Sequence, residues 1–558
     1  QILLNKGDKS LMKTKTTQAN DNRRDFLKKF GGAAAATVAV AAGAVPVLAQ
    51  TSDKKILANE KNAVEAGALT RKEICRQIRI DAAQREFEEP EVVNAPNGDE
   101  QAYPNRIGNY SKALPHNPLG EVDLSAYAAL ITAVNSGLPA DYAAIPLGGT
   151  AKLANPQAAL AFPIEGADVA HLNCPAPPAL SSALEGAEMA EVYWHALTRD
   201  IPFSQYAENS TVTAATRDLR RFATFRWLTE TTMFRGETFG DSVGPYISQF
   251  LCKPIPYGAT TIEQRYRVPV AGDDKMTGYS EWLNIQSGLA PSSSQIYDPT
   301  PRYIRNGRDL GEFVHQDFSF QAFLNAALIL LSYGGAALSD TNPYKTIANQ
   351  GAFAQFGGPH ILDMVARAAN AGLKAAWYQK WNVHRRLRPE AFAGLVHNHA
   401  TGNASYPVVE AVLHSAAVSG VFSLYGTYLL PMAFPEGSPT HPAYPAGHAT
   451  ISGACATILK AFFKESFAIP NPVEANADGL SLNAYSGQLT AGQEINKLAA
   501  NISLGRDMAG VHWRSDGIEG MNLGEKVAIQ ILKDYRQTYN EDFAGFTFTK
   551  FDGTTKTI

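Results

Sequence analysis

Residues 314–333 read VHQDFSFQAFLNAALILLSY, a run whose second half is apolar nearly all round, as befits a helix at the centre of a helical protein. Helical periodicity extends from it in both directions. Upstream, residues 179–197 (ALSSALEGAEMAEVYWHAL) set Leu184, Ala187, Val192 and Trp194 among charged positions. Downstream, the pattern returns over 361–381, 408–430, 450–463, 493–508 and 523–539. Alternating, strand-like runs are few and short, chiefly 264–270. Prolines and glycines crowd 91–178, which predicts short helices joined by long surface loops. The fold class is therefore mainly α, with helical bundles in one compact unit. An N-terminal helical region is expected over 50–310 and a C-terminal one, carrying the chemistry, over 311–558.

Composition removes several functions. The chain has 558 residues, 49 Lys+Arg against 53 Asp+Glu, 45% hydrophobic residues and 18% charged ones, which excludes a disordered tail protein. A net charge of −4 offers no global field for a polyanion, so nucleic acid is not expected as a partner and any anion site must be built locally. The four cysteines (Cys75, Cys174, Cys252, Cys455) show no Cys-x-x-Cys spacing, against a zinc ribbon or a thioredoxin-type redox pair. At most two disulfides could form, and Cys455, inside a helical run, is expected to be a small buried apolar group.

The first 49 residues look like an address. Residues 22–29 (NRRDFLKK) precede an Ala/Gly-rich apolar stretch over 31–48 that ends in Val47, Leu48 and Ala49. This predicts a twin-arginine export signal, a mature chain from about Gln50, and a periplasmic or extracellular destination. Met12 opens a polar, basic region of the length such signals have, so residues 1–11 are taken as upstream of it. Beyond the signal no apolar run of about 18 residues free of charge follows, so no membrane span is expected in the mature form.

The chemistry concentrates near the C-terminus, where nine of the twelve histidines lie at or after His315. Three clusters stand there: KWNVHRRLRP from Lys380 to Arg388 and Pro389, HPAYPAGHAT from His441 through His448, and SLGRDMAGVHWRSD from Ser503 through Arg506 and His512 to Asp516. Singly, each cation or histidine is most simply a solvated or capping group. Together they supply the parts of a tetrahedral oxyanion site. Pro445, Ala446 and Gly447 before a helix opening at His448 or Ala449 would expose free N–H groups at the positive end of the helix dipole, and Gly447 lets a ligand approach the backbone. Arg388 and Arg506 offer forked donors, Lys380 a point charge. His512 follows a Gly510 turn, with Asp516 near enough to orient it. A neutral imidazole there can ligate a metal or attack phosphorus, while His448 could serve as acid or base.

The three clusters, in this order, resemble the vanadium-dependent haloperoxidases, whose site architecture is shared with phosphatidate-type acid phosphatases. Resemblance is stronger to the algal and cyanobacterial bromoperoxidase type: seven residues separate Lys380 from Arg388, His441 stands seven before His448, and EMAEVYWHALTRDIPF and NGRDLGEFVH also look like theirs. It implies two four-helix-bundle units and vanadate as cofactor. It makes His512 the axial metal ligand, and assigns Lys380, Arg388, Arg506 and the Gly447 amide to the oxyanion. His448 becomes the acid–base group, counted as catalytic together with Lys380 and with His441 beside it. The implied reaction oxidises halide, bromide or iodide above all, with hydrogen peroxide to hypohalous acid, which halogenates small organic substrates. A homo-oligomer and a structural calcium ion are implied too, although the oxygen side chains of 340–355 lack EF-hand spacing. The departure is Ala446, where the family usually has a serine that donates to the oxyanion; losing that bond would weaken anion binding by roughly 1–3 kcal/mol. Two other readings stay open: an exported acid phosphatase in which His512 attacks phosphorus and His448 protonates the leaving alcohol, and a non-catalytic oxyanion-binding protein.

Overall fold

In a computed structural model, which describes residues 69–558, the Gly447–Phe462 and Arg514–Arg536 helices cross with backbone against backbone. Glycines make this possible: a Cβ at Gly453 would lie 2.1 Å from the Met521 carbonyl oxygen, and one at Gly524 2.0 Å from that of Thr450. The Gly358–Tyr378 helix packs on the same pair through Gly372, whose added Cβ would meet Thr450 at 3.3 Å and Ala454 at 3.4 Å. With Ala491–Met508, opened by a Thr490/Gln493 capping box, these helices form a four-helix group. The Ala183–Thr198 helix, started by Ser182 accepting from the Glu185 N–H, gathers Ser210–Leu219 and Ala416–Tyr425 around it. One continuous apolar core, including Trp194, Phe250, Phe392, Ile458 and Trp513, runs through both groups. The class is mainly α, as the periodicity predicts.

Two long helices are interrupted where periodicity predicts continuity. The 314–333 run is split into Gly307–Gln316 and Gln321–Ser332 because Asp317 adopts an extended conformation (φ −64°, ψ 147°) and spends its carboxylate elsewhere. The 408–430 run is split into Glu410–Leu413 and Ala416–Tyr425 at Ser415, whose hydroxyl caps the second helix by accepting from the Ala417 N–H and itself donates to Asp218 at 2.6 Å. Residues 264–270 form no strand but two isolated bridges, Tyr266 with Arg302 and Pro269 with Tyr297, the proline lacking a ladder donor. The described strands are three antiparallel hairpins: Ile255–Tyr257 with Thr260–Ile262, Val473–Ala475 with Leu482–Ala484, and Thr547–Thr549 with Thr555–Thr557.

The chain divides into a unit of residues 1–77 and one of residues 78–558, and the site lies in the second. The export segment falls outside the described residues. No described helix is long and apolar enough to cross a membrane. The four cysteines are unpaired thiols, and Cys455 is fully buried, its Sγ 3.5 Å from the Val365 carbonyl oxygen, as expected of a packed small group. In 340–355, the Asp340 carboxylate pairs with the ammonium groups of Lys345 (2.8 Å) and Lys464 (2.9 Å). No cluster of three or more His, Cys, Asp or Glu side chains able to hold a metal ion occurs among the described residues.

Candidate active site

The first cluster sits where a helix changes pitch. Gly358–Tyr378 continues as a π-helical turn over Gln379–His384, Arg385 takes a left-handed conformation (φ 44°), and Arg388 caps the Pro389–Ala400 helix. This sequence of turns drives both Lys380 and Arg388 inward, where they are at most 1% exposed. Lys380 Nζ donates to the carbonyl oxygens of Pro442 (2.7 Å) and Ala443 (2.6 Å). Arg388 donates through Nε to the His441 carbonyl (3.0 Å) and through Nη1 to that of Val511 (2.6 Å).

The second cluster is a loop with a cis Tyr444–Pro445 bond that delivers the chain into the Gly447–Phe462 helix, one residue earlier than the sequence suggests. Ala446 is the N-cap and has no side-chain oxygen, so no side chain caps the first-turn N–H groups. Gly447 packs its face on Trp377, where an added Cβ would come within 3.3 Å of the ring. His441 leans on the same Trp377, ring centroids 4.7 Å apart. Its Nδ1 lies 3.0 Å from Arg388 Nη2, a donor, and 3.1 Å from the Pro442 carbonyl oxygen, an acceptor. His448, a quarter exposed, meets Asp317 Oδ1 through Nε2 at 3.0 Å, which is where the broken helix spends its carboxylate.

The third cluster closes the ring. Arg506, at the end of Ala491–Met508, donates to the Val314 carbonyl (2.7 Å) and lies over the Phe434 ring at 5.5 Å. Gly510, at φ 85°, turns the chain toward His512. There Nδ1 pairs with Asp516 Oδ2 (2.8 Å), and Nε2 faces Arg388 Nη1 (2.9 Å). These two contacts fix the tautomer: Nδ1 carries the proton and Nε2 its lone pair. Burial, then the charges of Arg388, Lys380 and Arg506, hold the imidazole well below its ordinary pKa, so the ring is neutral.

The electrostatics are one-sided. Among the described residues, no carboxylate lies within ion-pair distance of Lys380, Arg388 or Arg506, all of them buried and served by carbonyls and imidazoles. Burial lowers Lys380 well below its usual range and brings Arg388 and Arg506 down to about 10. The Arg506 Nε is buried with no hydrogen-bond partner. Three buried cations without a carboxylate at ion-pair distance, an Nε with no partner, and an unprotonated imidazole nitrogen that meets only the Arg388 guanidinium fit a tetrahedral oxyanion that also accepts a nitrogen ligand, as vanadate does. The site is distinct from a cavity of about 240 Å³ lined by Gly236, Ser503, Arg514, Met521 and Phe551, which contains none of these residues.

Arg388, His441 and His512 are in direct contact, the charges of Lys380 and Arg506 act on His512, and His448 and Gly447 meet Asp317 and Trp377 rather than these residues. Sequence reasoning missed Asp317, Trp377, Arg386 and the pair Glu185 and Glu188. Asp317 was hidden inside an apparent helix, whereas Glu185 and Glu188 stand at i, i+3 in a helix that repeats the spacing at Glu191.

Comparison with known proteins identifies the family. The family model described as the VCPO second helical-bundle domain matches residues 360–541, the span that holds all three clusters. A vanadium-dependent bromoperoxidase of Ascophyllum nodosum is 36% identical over 506 residues, covering 85% of this chain and 90% of that protein. One from Corallina pilulifera is 34% identical, covering 86% and 96%. The homohexameric structure of the second vanadate-dependent bromoperoxidase (AnII) from Ascophyllum nodosum superposes with a TM-score of 0.83 at 31% identity, over 92% of this chain and 93% of that one. With the oxyanion cage and these relatives in agreement, the chain belongs to the vanadium-dependent bromoperoxidase family of haloperoxidases.

Proposed function

We propose that the enzyme oxidises bromide or iodide with hydrogen peroxide to hypohalous acid, which halogenates small organic molecules, and that vanadate is its resident cofactor. The observation that carries this is the set of three buried cations without carboxylates around the unprotonated Nε2 of His512. Lys380, Arg388, Arg506 and the Gly447 amide would hold the oxyanion, and His512 Nε2 would ligate the metal. When bound, vanadate supplies a Lewis acid that activates peroxide toward halide with no change in its own oxidation state.

The protein's part is positioning and electrostatics. The cations offset the negative charge of the oxyanion in a site largely closed to water, where each donor counts for more than it would in solvent. Making hypohalous acid from halide and peroxide consumes one proton and releases water. His448 is the partly exposed acid–base group suited to moving that proton, and Asp317 fixes the direction of its ring. His441 sits against the Arg388 guanidinium, its Nδ1 3.0 Å from Nη2. Export through the twin-arginine route to the periplasm or beyond, with assembly as a homo-oligomer, completes the proposal. The export rests on the Arg23, Arg24 motif, and the assembly on the hexameric relative.

The test is bromide-dependent bromination of a phenol dye by vanadate-loaded protein with peroxide, beside hydrolysis of a chromogenic phosphate ester. Bromination that requires both vanadate and peroxide is expected. Ester hydrolysis without bromination would assign the acid-phosphatase reaction instead. His448→Ala should keep vanadate and lose turnover; unchanged turnover at saturating peroxide would remove it from the proton step.

A further inference from the structure

On its Nδ1 side, His512 is the end of a closed chain of buried ions. Asp516 accepts from His512 with Oδ2 and from Arg386 Nη1 with Oδ1, the latter at 2.7 Å. Arg386 Nη2 reaches across to the Ala183–Thr198 helix, where it pairs with Glu185 and with Glu188, the second at 3.1 Å. Ser515 ties the corner: its hydroxyl lies 2.8 Å from Arg386 Nη1 and 2.8 Å from Glu188 Oε2, and its N–H donates to Glu188 Oε1 at 3.0 Å. The Trp513 ring covers the guanidinium at 4.8 Å. The same two residues hold the second cluster by their backbones, since Ala443 N–H donates to the Arg386 carbonyl (3.0 Å) and Ala446 N–H to the Asp516 carbonyl (2.9 Å).

Such an arrangement does more than fill space. Arg388 on Nε2 already sets the tautomer of His512, and the Trp513 N–H adds a 3.2 Å bond to Asp516 Oδ2, but neither of these holds Asp516 Oδ1. A guanidinium on the second oxygen fixes the carboxylate plane, and only a fork can hold Asp516 on one nitrogen and the glutamates on the other. We propose that Arg386 is a positioning residue for the vanadate-binding histidine: by clamping Asp516 to Glu185 and Glu188, it fixes the carboxylate that the His512 Nδ1–H meets, and with it the aim of the ring. Burial raises Glu185 to about 8, with the charge of Arg386 opposing the rise.

The inference rests on the proposed vanadate site, and its test separates the two. Arg386→Lys keeps the charge and loses the fork. Equilibrium dialysis against vanadate should show at least about tenfold weaker retention than wild type, the loss usual for a partner that orients a metal-bound histidine. Solid-state 15N spectra of histidine-labelled enzyme should show His512 with a protonated Nδ1 and an unprotonated Nε2 in wild type, and in the variant an Nδ1 resonance shifted and broadened by a looser bond to Asp516. If the lysine variant does not fold, the charge-balanced variant carrying Glu185→Gln, Glu188→Gln and Arg386→Met replaces it, with the same outcomes expected. Wild-type vanadate affinity and an unchanged His512 spectrum in a folded variant would overturn the role of Arg386. A wild-type chain that takes up no vanadate would contradict the proposed function instead, and the ring spectra, which need no vanadate, would still decide the role of Arg386.

Discussion

Arg388 and Arg386 are two residues apart, equally buried, and opposite in electrostatic design. Arg386 meets Glu185, Glu188 and Asp516, which more than reverse the effect of burial and hold its pKa above the ordinary arginine value. Arg388 meets carbonyls and histidines, and burial lowers it to about 10. The same contrast separates Arg514, gripped by both oxygens of Glu191, from Arg506, which has one carbonyl and an orphaned Nε. Cations with carboxylates organise the fold behind His512. Cations without them face the place where an anion would sit, and the protein leaves their charge for that ligand to offset.

The comparison breaks most sharply under substitutions that remove charge. Arg386→Met should destabilise the fold by about 3–5 kcal/mol, because buried carboxylates lose their cation. Arg506→Met should lower stability by less than about 1 kcal/mol, since losing the bond to the Val314 carbonyl is offset by removing an unpaired buried charge. Denaturant unfolding of the two variants checks the order, and equal losses would erase the distinction between the two classes of arginine.

Supplying the missing carboxylate is the next test. Ala446→Asp places a negative group at an uncapped helix N-terminus beside the cations. Vanadate binding should be lost while thermal stability holds or rises, as followed by dialysis and calorimetry. Undiminished vanadate uptake would mean that position 446 does not face the oxyanion. The milder Ala446→Ser adds one neutral donor and should tighten vanadate binding by up to about tenfold, read by titration of the stripped protein.

A smaller effect sharpens the edge of the site. His315 stacks on Phe434, with centroids 3.8 Å apart, and pairs with Glu436 at 2.6 Å. Burial would lower its pKa, but hydrogen bonds and charges from Glu312 and Glu436 outweigh it and raise the value to about 9. Because the folded value lies above the unfolded one of about 6.5, the pair's stabilisation is fully present below about pH 6.5 and lost as pH rises through 9. The melting temperature of wild type should therefore exceed that of His315→Gln at pH 6 and converge with it above pH 9; a difference that does not vary with pH would deny the charge on His315.

The parts of this site that sequence revealed are those whose meaning is local. Lys380, Arg388, His448, Arg506 and His512 announce themselves by spacing to prolines, glycines and one another, and amphipathic periodicity is enough to give a helical fold. Asp317 was illegible because an apolar run continues through it, and only the packing against His448 shows why the helix must stop. Arg386 was illegible for a different reason: in the sequence it is one more arginine beside Arg385 and Arg388, and the carboxylates that distinguish it come from residues about 130 and 200 positions away, Asp516 on one side and Glu188 and Glu185 on the other. Ion pairing over such distances leaves no periodic trace.

In the proposed function, three buried cations and a neutral His512 await an oxyanion. Thermal unfolding of the stripped wild-type protein and of His512→Ala, each with and without vanadate, tests it most directly. Vanadate at a hundred times its dissociation constant should add about 2.7 kcal/mol to the wild type and raise its melting temperature, with one vanadium retained per chain after dialysis. His512→Ala should show neither effect; an equal shift and equal retention in the variant would contradict the account.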